Sequence, residues 1–183
     1  TVRAQLAGRP YGDPFRLDMS AADRLVTAPD RVSGTDIFEF IDLEPIEHEV
    51  YPEEAHVAEK LHASTLEFDH GENGRAKDLV DIGLLASHTR FEGGLLRQSI
   101  EATFEFRDTH PLPERLPEPP TFWGRLYNEM REEDELPWQD LEALYAFCSG
   151  FVDPLLKGTA HDDQIWTPDE QQWRAGEMEF DGI

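Results

Sequence analysis

Two neighbouring stretches decide the fold: YPEEAHVAEKLHAS (51–64) and, after the break DHGENG (69–74), RAKDLVDIGLLAS (75–87). In the first, Pro52 suits a first helical position, where its missing N–H costs nothing, and Glu53 and Glu54 suit the positive end of a helix dipole. Val57, Ala58 and Leu61 follow helical spacing, with no Gly or further Pro to interrupt them. In the second, Leu79, Ile82, Leu85 and Ala86 form one apolar stripe. Two amphipathic helices are predicted. On the second, Lys77 and Asp81 are four apart and Asp78 and Asp81 three apart, so all three can share a face.

Downstream the pattern stays helical. A third helix is expected over about 91–107, with Leu95, Leu96, Ile100 and Phe104 inward. HPLPERLPEPP (110–120) carries five prolines and predicts a stiff extended connection. Helices resume over about 121–132 and 137–151, the latter rich in Leu141, Leu144, Tyr145, Phe147 and Phe151. From Gly158 the chain turns polar and acidic, and residues 158–183 are read as an extended tail, weakly docked through Trp166 and Trp173 or disordered. Upstream the signals are those of strands: VRAQLA (2–7), PFRLDMS (14–20), DIFEFIDL (36–43) and a short HEVY (48–51). The expected division is therefore 1–51 strands, 52–157 helices and 158–183 tail.

Composition limits the function classes. The 183 residues hold 39 Asp plus Glu against 16 Lys plus Arg, a net charge of −23. That balance excludes coating of a duplex through many phosphate contacts and attachment to an anionic membrane through basic clusters. No apolar run approaches the roughly 18 residues that span a bilayer. A single cysteine, Cys148, cannot form an internal disulfide, so a soluble protein in a reducing, cytoplasmic setting is expected.

The sequence holds no P-loop, GxGxxG, GxSxG or CxxC motif, and HEVYP lacks the second His of HExxH. His56 and His62 lie six apart and do not share a helix face. Lysine is the informative residue. Only Lys60, Lys77 and Lys157 occur, against 13 Arg, and no Lys or Arg lies between Ser33 and Glu59. Keeping Lys60 and Lys77 where Arg is the rule points to a need for a compact ammonium. Two amphipathic helices with surface ion pairs, each worth roughly 0–1 kcal/mol, account for the same residues without any chemistry.

The pattern YPxExxxAEKLHA followed by RxKDLxDIxLL resembles the C-terminal half of the AbiEii/AbiGii-type nucleotidyltransferase toxins, in order and in spacing. PFRLDMS resembles the family's strand bearing one acid between apolar residues, and the likeness extends over roughly 2–157. The resemblance implies an α+β, polymerase-β-like nucleotidyltransferase fold, with a partial mixed sheet followed by a C-terminal helical bundle. It implies transfer of NMP from an NTP to an RNA 3′ end, tRNA being the expected acceptor, with Mg²⁺ held by strand carboxylates. It also implies a winged-helix antitoxin as partner.

Carried over residue by residue, the resemblance makes Asp18 a metal ligand and Lys60 a contact to the triphosphate. It makes Asp78 and Asp81 catalytic acids, one orienting Lys60 or a metal-bound water and the other capping or bracing neighbouring backbone, and Arg75 and Lys77 further phosphate contacts. The sequence departs from the family pattern in lacking the G-S turn and D-x-D pair that supply most metal ligands, a motif expected N-terminal to Thr1. With no initiator Met, the chain is read as a fragment or processed form that contributes the third acid, the lysine and the supporting helices. The alternative is a degenerate nucleotidyltransferase domain that binds a protein partner without catalysing transfer.

Overall fold

A computed structural model describes residues 1–16, 25–34, 45–66 and 74–176. Five helices carry the core: α1 (Glu53–Thr65), α2 (Ala76–His88), α3 (Gly93–Arg107), α4 (Trp123–Asp134) and α5 (Leu141–Leu156). α1 packs between α2 and α3, and α2 also lies against α5. Their apolar stripes meet through Leu61, Leu79, Ile82, Leu96, Ile100, Leu144 and Phe151, all buried. The third predicted helix begins two residues late, because Phe91 and Glu92 are spent on a strand.

Some helix ends have a visible chemical cause. Pro52 precedes α1, whose first turn holds Glu53 and Glu54. Asp140 caps α5, its Oδ1 accepting the Ala143 N–H at 2.8 Å. α3 and α4 both stop at a residue in the left-handed region, Asp108 (φ 43°) and Glu135 (φ 53°).

The proline-rich connection is pinned to the core. Leu116 is buried, its N–H donates to Asp153 Oδ1 at 2.8 Å, and its carbonyl accepts from the Tyr145 hydroxyl at 3.0 Å.

The segment after Gly158 differs most from the sequence reading. Instead of a weakly docked tail, it forms a hairpin, β6 (Gln164–Thr167) and β7 (Gln172–Ala175). β6 also pairs with β5 (Phe91–Glu92), giving an antiparallel sheet in the order β5-β6-β7. Trp166 is 1 % exposed and donates its indole N–H to the Ala86 carbonyl at 2.7 Å. Trp173 donates to the Phe151 carbonyl at 2.8 Å and stacks on the Phe151 ring, with 4° between the planes. The two tryptophans close the core over α5, the Trp166 ring buried and the Trp173 ring half-buried, with both indole N–H groups satisfied. Arg97 of α3 holds the approach to the hairpin, donating to the carbonyls of Leu155 and Ala160 and to Asp162. Gly93 is required here: a Cβ on it would lie 2.6 Å from the His161 carbonyl oxygen.

Among the described residues of the first fifty there are two further pairs, both antiparallel: β1 (Gln5–Leu6) with β2 (Arg9–Pro10), and β3 (Asp30–Ser33) with β4 (Glu47–Val50). Phe15 makes a bridge to Val2, and β4 is the expected HEVY strand, beginning one residue earlier. Most of PFRLDMS, Asp18 included, and all of DIFEFIDL lie outside the described residues. Helices and small antiparallel sheets together make the chain α+β.

Candidate functional site

α1 and α2 bring together three charged residues that the sequence singled out. Asp78 and Asp81, one helical turn apart, face α1 from α2, and Lys60 reaches across to both. Its Nζ lies 2.6 Å from Asp81 Oδ2 and 3.2 Å from Asp78 Oδ1. Arg75 Nη1 approaches the second oxygen of Asp78 at 3.4 Å. The Asp78 side chain is only 9 % exposed, so it is the buried anchor, while Lys60 and Asp81 are half-buried at 24 % and 21 %.

Such a cluster cannot be broken cheaply from one side, because a half-buried acid without its cation keeps its desolvation cost. Burial of the Lys60 ammonium pushes its pKa down. The hydrogen bonds to Asp81 and Asp78 outweigh that, and the group is held above the usual lysine range. Lys60 therefore stays charged at neutral pH. Of the three N–H donors of an ammonium, the two carboxylates engage two here.

Lys77 was grouped with the two acids by spacing. It is exposed, whereas Asp78 beside it is buried, so the cation that answers the acids comes from α1 instead. Arg75 and Lys77 stand at the solvent side of the cluster's N-terminal end.

The carboxylates do not fit a metal ion as they stand. Each of Asp78 and Asp81 is already committed to the ammonium, and no group of three or more His, Cys, Asp or Glu suited to a cation occurs among the described residues.

Beside this cluster stands a second polar set that the sequence reading did not single out. Glu59, the neighbour of Lys60, accepts from the Tyr51 hydroxyl at 2.6 Å and pairs with Arg107 Nη2 at 3.4 Å. Arg107 Nη1 lies 3.5 Å from His62 Nδ1, and His62 Nε2 lies 2.8 Å from Thr109 Oγ1. His62 is buried, against the Phe104 and His110 rings. Tyr51 and Glu59 sit inside the motif that decided the fold, but Arg107 is brought to them only by the packing of α3 on α1.

A cleft of about 540 Å³ opens between the end of α3 and residues 109–112. Glu101, Glu105 and Asp108 line it, charges unsuited to a triphosphate, and Lys60 is not in its wall.

Among the described residues no helix is long and apolar enough to cross a membrane. A search of curated proteins finds no match to the chain. The sequence profile of one family does match, over residues 1–167, and that family is described as nucleotidyl transferase AbiEii toxin, type IV toxin–antitoxin system. The matched span includes both motif helices and β6.

Proposed function

The chain belongs to the AbiEii nucleotidyl transferase toxin family, and on that premise we propose that it serves transfer of NMP from an NTP to an RNA 3′ end in the cytoplasm. The acceptor in this reading is tRNA, and the cognate partner is a winged-helix antitoxin. The observation that carries the reading is the Lys60 ammonium, kept charged and held between Asp78 and Asp81 where the two motif helices meet.

Transfer requires charge on the triphosphate to be neutralised while the acceptor hydroxyl approaches the α-phosphate and pyrophosphate departs. Lys60 serves that end by offering a fixed N–H to a phosphate oxygen, where a preorganised donor is worth far more than a mobile one. Asp78 and Asp81 hold it in place, so that no reorganisation is needed when substrate arrives. Arg75 and Lys77 attract the polyanion toward the cluster and counter the −23 net charge locally. Mg²⁺ enters this proposal with the nucleotide, as its counter-ion. Asp18 remains the residue proposed to meet the metal, and Asp78 and Asp81 are assigned to the lysine.

The test uses the full-length protein with labelled NTP, tRNA and Mg²⁺. Labelled RNA is expected from the wild type, and Lys60→Ala is expected to lower the rate by about 10² or more, the usual cost of removing one charge-stabilising donor. Labelling that survives Lys60→Ala overturns the phosphate contact. A wild type that labels no RNA with any NTP overturns the transferase reading in favour of a binding module.

A further inference from the structure

Consecutive residues of α1 serve different neighbours. Lys60 reaches α2, whereas Glu59, about 100° around the helix, is held from α3 and from the chain entering α1. The Tyr51 hydroxyl meets Glu59 at 2.6 Å, the separation of a charge-assisted O–H···O⁻ bond. Tyr51 directly precedes Pro52, so this bond ties the link from β4 to the middle of α1. Arg107, the last residue of α3, fastens the same carboxylate from the other side. Glu59 and Arg107 are both about a quarter exposed, at 29 % and 27 %, so water does not fully screen the pair.

We propose that Tyr51, Glu59 and Arg107 are positioning residues that fix the rotation of α1 and thereby hold Lys60 Nζ between Asp78 and Asp81. A helix with its side chains has a radius of about 5–6 Å, so a turn of about 20° displaces a side-chain head by roughly 2 Å. That displacement exceeds what the 2.6 Å contact with Asp81 tolerates. It also exceeds the roughly 1 Å misplacement that costs a catalytic group about 10²-fold. Apolar packing of Val57, Ala58 and Leu61 selects which face of α1 points inward, and smaller turns about the axis within that packing are left to directional polar contacts. The polar clamp supplies the angular restraint. The proposal rests on the reading of Lys60 as the phosphate-contacting lysine.

The chain's three lysines make the test independent of turnover. Trace labelling of the full-length protein with acetic anhydride, followed by peptide mass spectrometry, gives the reactivity of Lys60 relative to exposed Lys77. Asp81→Asn calibrates the signal by removing the closer partner directly. Tyr51→Phe, Glu59→Gln and Arg107→Gln are each expected to raise the Lys60/Lys77 ratio by about threefold or more, the change produced by half a pKa unit. Loss of stability alone would not move one lysine against another under native conditions. A ratio unchanged in all three variants, while Asp81→Asn raises it, overturns the clamp. A ratio unchanged even in Asp81→Asn overturns the placement of Lys60 on which the clamp acts. Absence of RNA labelling by the wild type would instead overturn the transferase reading, and it leaves the labelling ratios as they are.

Discussion

The chain builds β-hairpins at both ends of its described length, and they differ in what they bury. In β6–β7, Trp166 is 1 % exposed and Trp173 stacks on Phe151. In β1–β2 and β3–β4 every strand residue is exposed, with Leu6 at 64 % and Val32 at 49 %. A two-stranded hairpin is marginal in water until a third strand or a helix covers one face. The β6–β7 hairpin has both, since β5 pairs with β6 and Phe151 of α5 lies against the rings of Trp166 on β6 and Trp173 on β7. The lesson is that stability resides in the helices together with the last hairpin, and that the exposed strands β1–β4 add little to it.

The largest effect that could break this comparison comes from Trp166→Ala. The substitution removes a buried ring and the hydrogen bond to the Ala86 carbonyl, so a cost of about 3–5 kcal/mol is expected. For a chain of this size that lowers the melting temperature by roughly 6–20 °C. Thermal unfolding followed by circular dichroism measures it. A melting temperature within about 2 °C of wild type would place the hairpin outside the cooperative core.

Trp166 also shows why the sequence was only partly legible. α1 and α2 were readable because their apolar residues repeat at the helical period and the breaks between them are rich in Gly, Asp and Asn. Gln164–Thr167 is too short to show a period, sits in an acidic run, and meets its partner Phe91 far upstream. Pairing of that kind is set by tertiary packing, which leaves no local signature.

The site divides in the same way. The scarcity of lysine and the one-turn spacing of Asp78 and Asp81 single out residues that the fold brings into contact. Spacing along α2 nevertheless assigned Lys77 to the acids, where the fold supplies Lys60 from α1. Arg107 was beyond reach, because only the packing of α3 on α1 brings it to Glu59.

A smaller effect tests the seam between the two regions. Glu54, in the first turn of α1, has its pKa raised above 4.5 by burial first and then by Glu53, Asp30 of β3 and Glu92 of β5, against a backbone hydrogen bond that lowers it. A carboxyl whose folded pKa is raised favours folding when protonated. That contribution is present below the unfolded pKa and is lost as pH rises through the folded value. At neutral pH the Glu54 carboxylate therefore opposes folding slightly. Glu54→Gln is expected to raise the melting temperature at pH 7, with the difference from wild type closing as pH falls to about 4.5 and below. A difference that stays constant across that range would mean that Glu54 does not feel the acids of β3 and β5.

The smallest effect is the sharpest statement of the comparison. Leu6→Ser is expected to change stability by no more than about 0.5 kcal/mol, read as an unchanged midpoint in urea. Folding removes little of the Leu6 side chain from water, so the serine alters folded and unfolded states almost equally and the difference between them stays near zero. The same reasoning covers Val32→Ser on β3, which is also exposed. If Leu6→Ser instead costs more than about 1 kcal/mol, about 40 Å² of its apolar surface is out of water in solution. The first hairpin would then share in the core as the last one does, and the difference between the two ends would be one of partner rather than of burial.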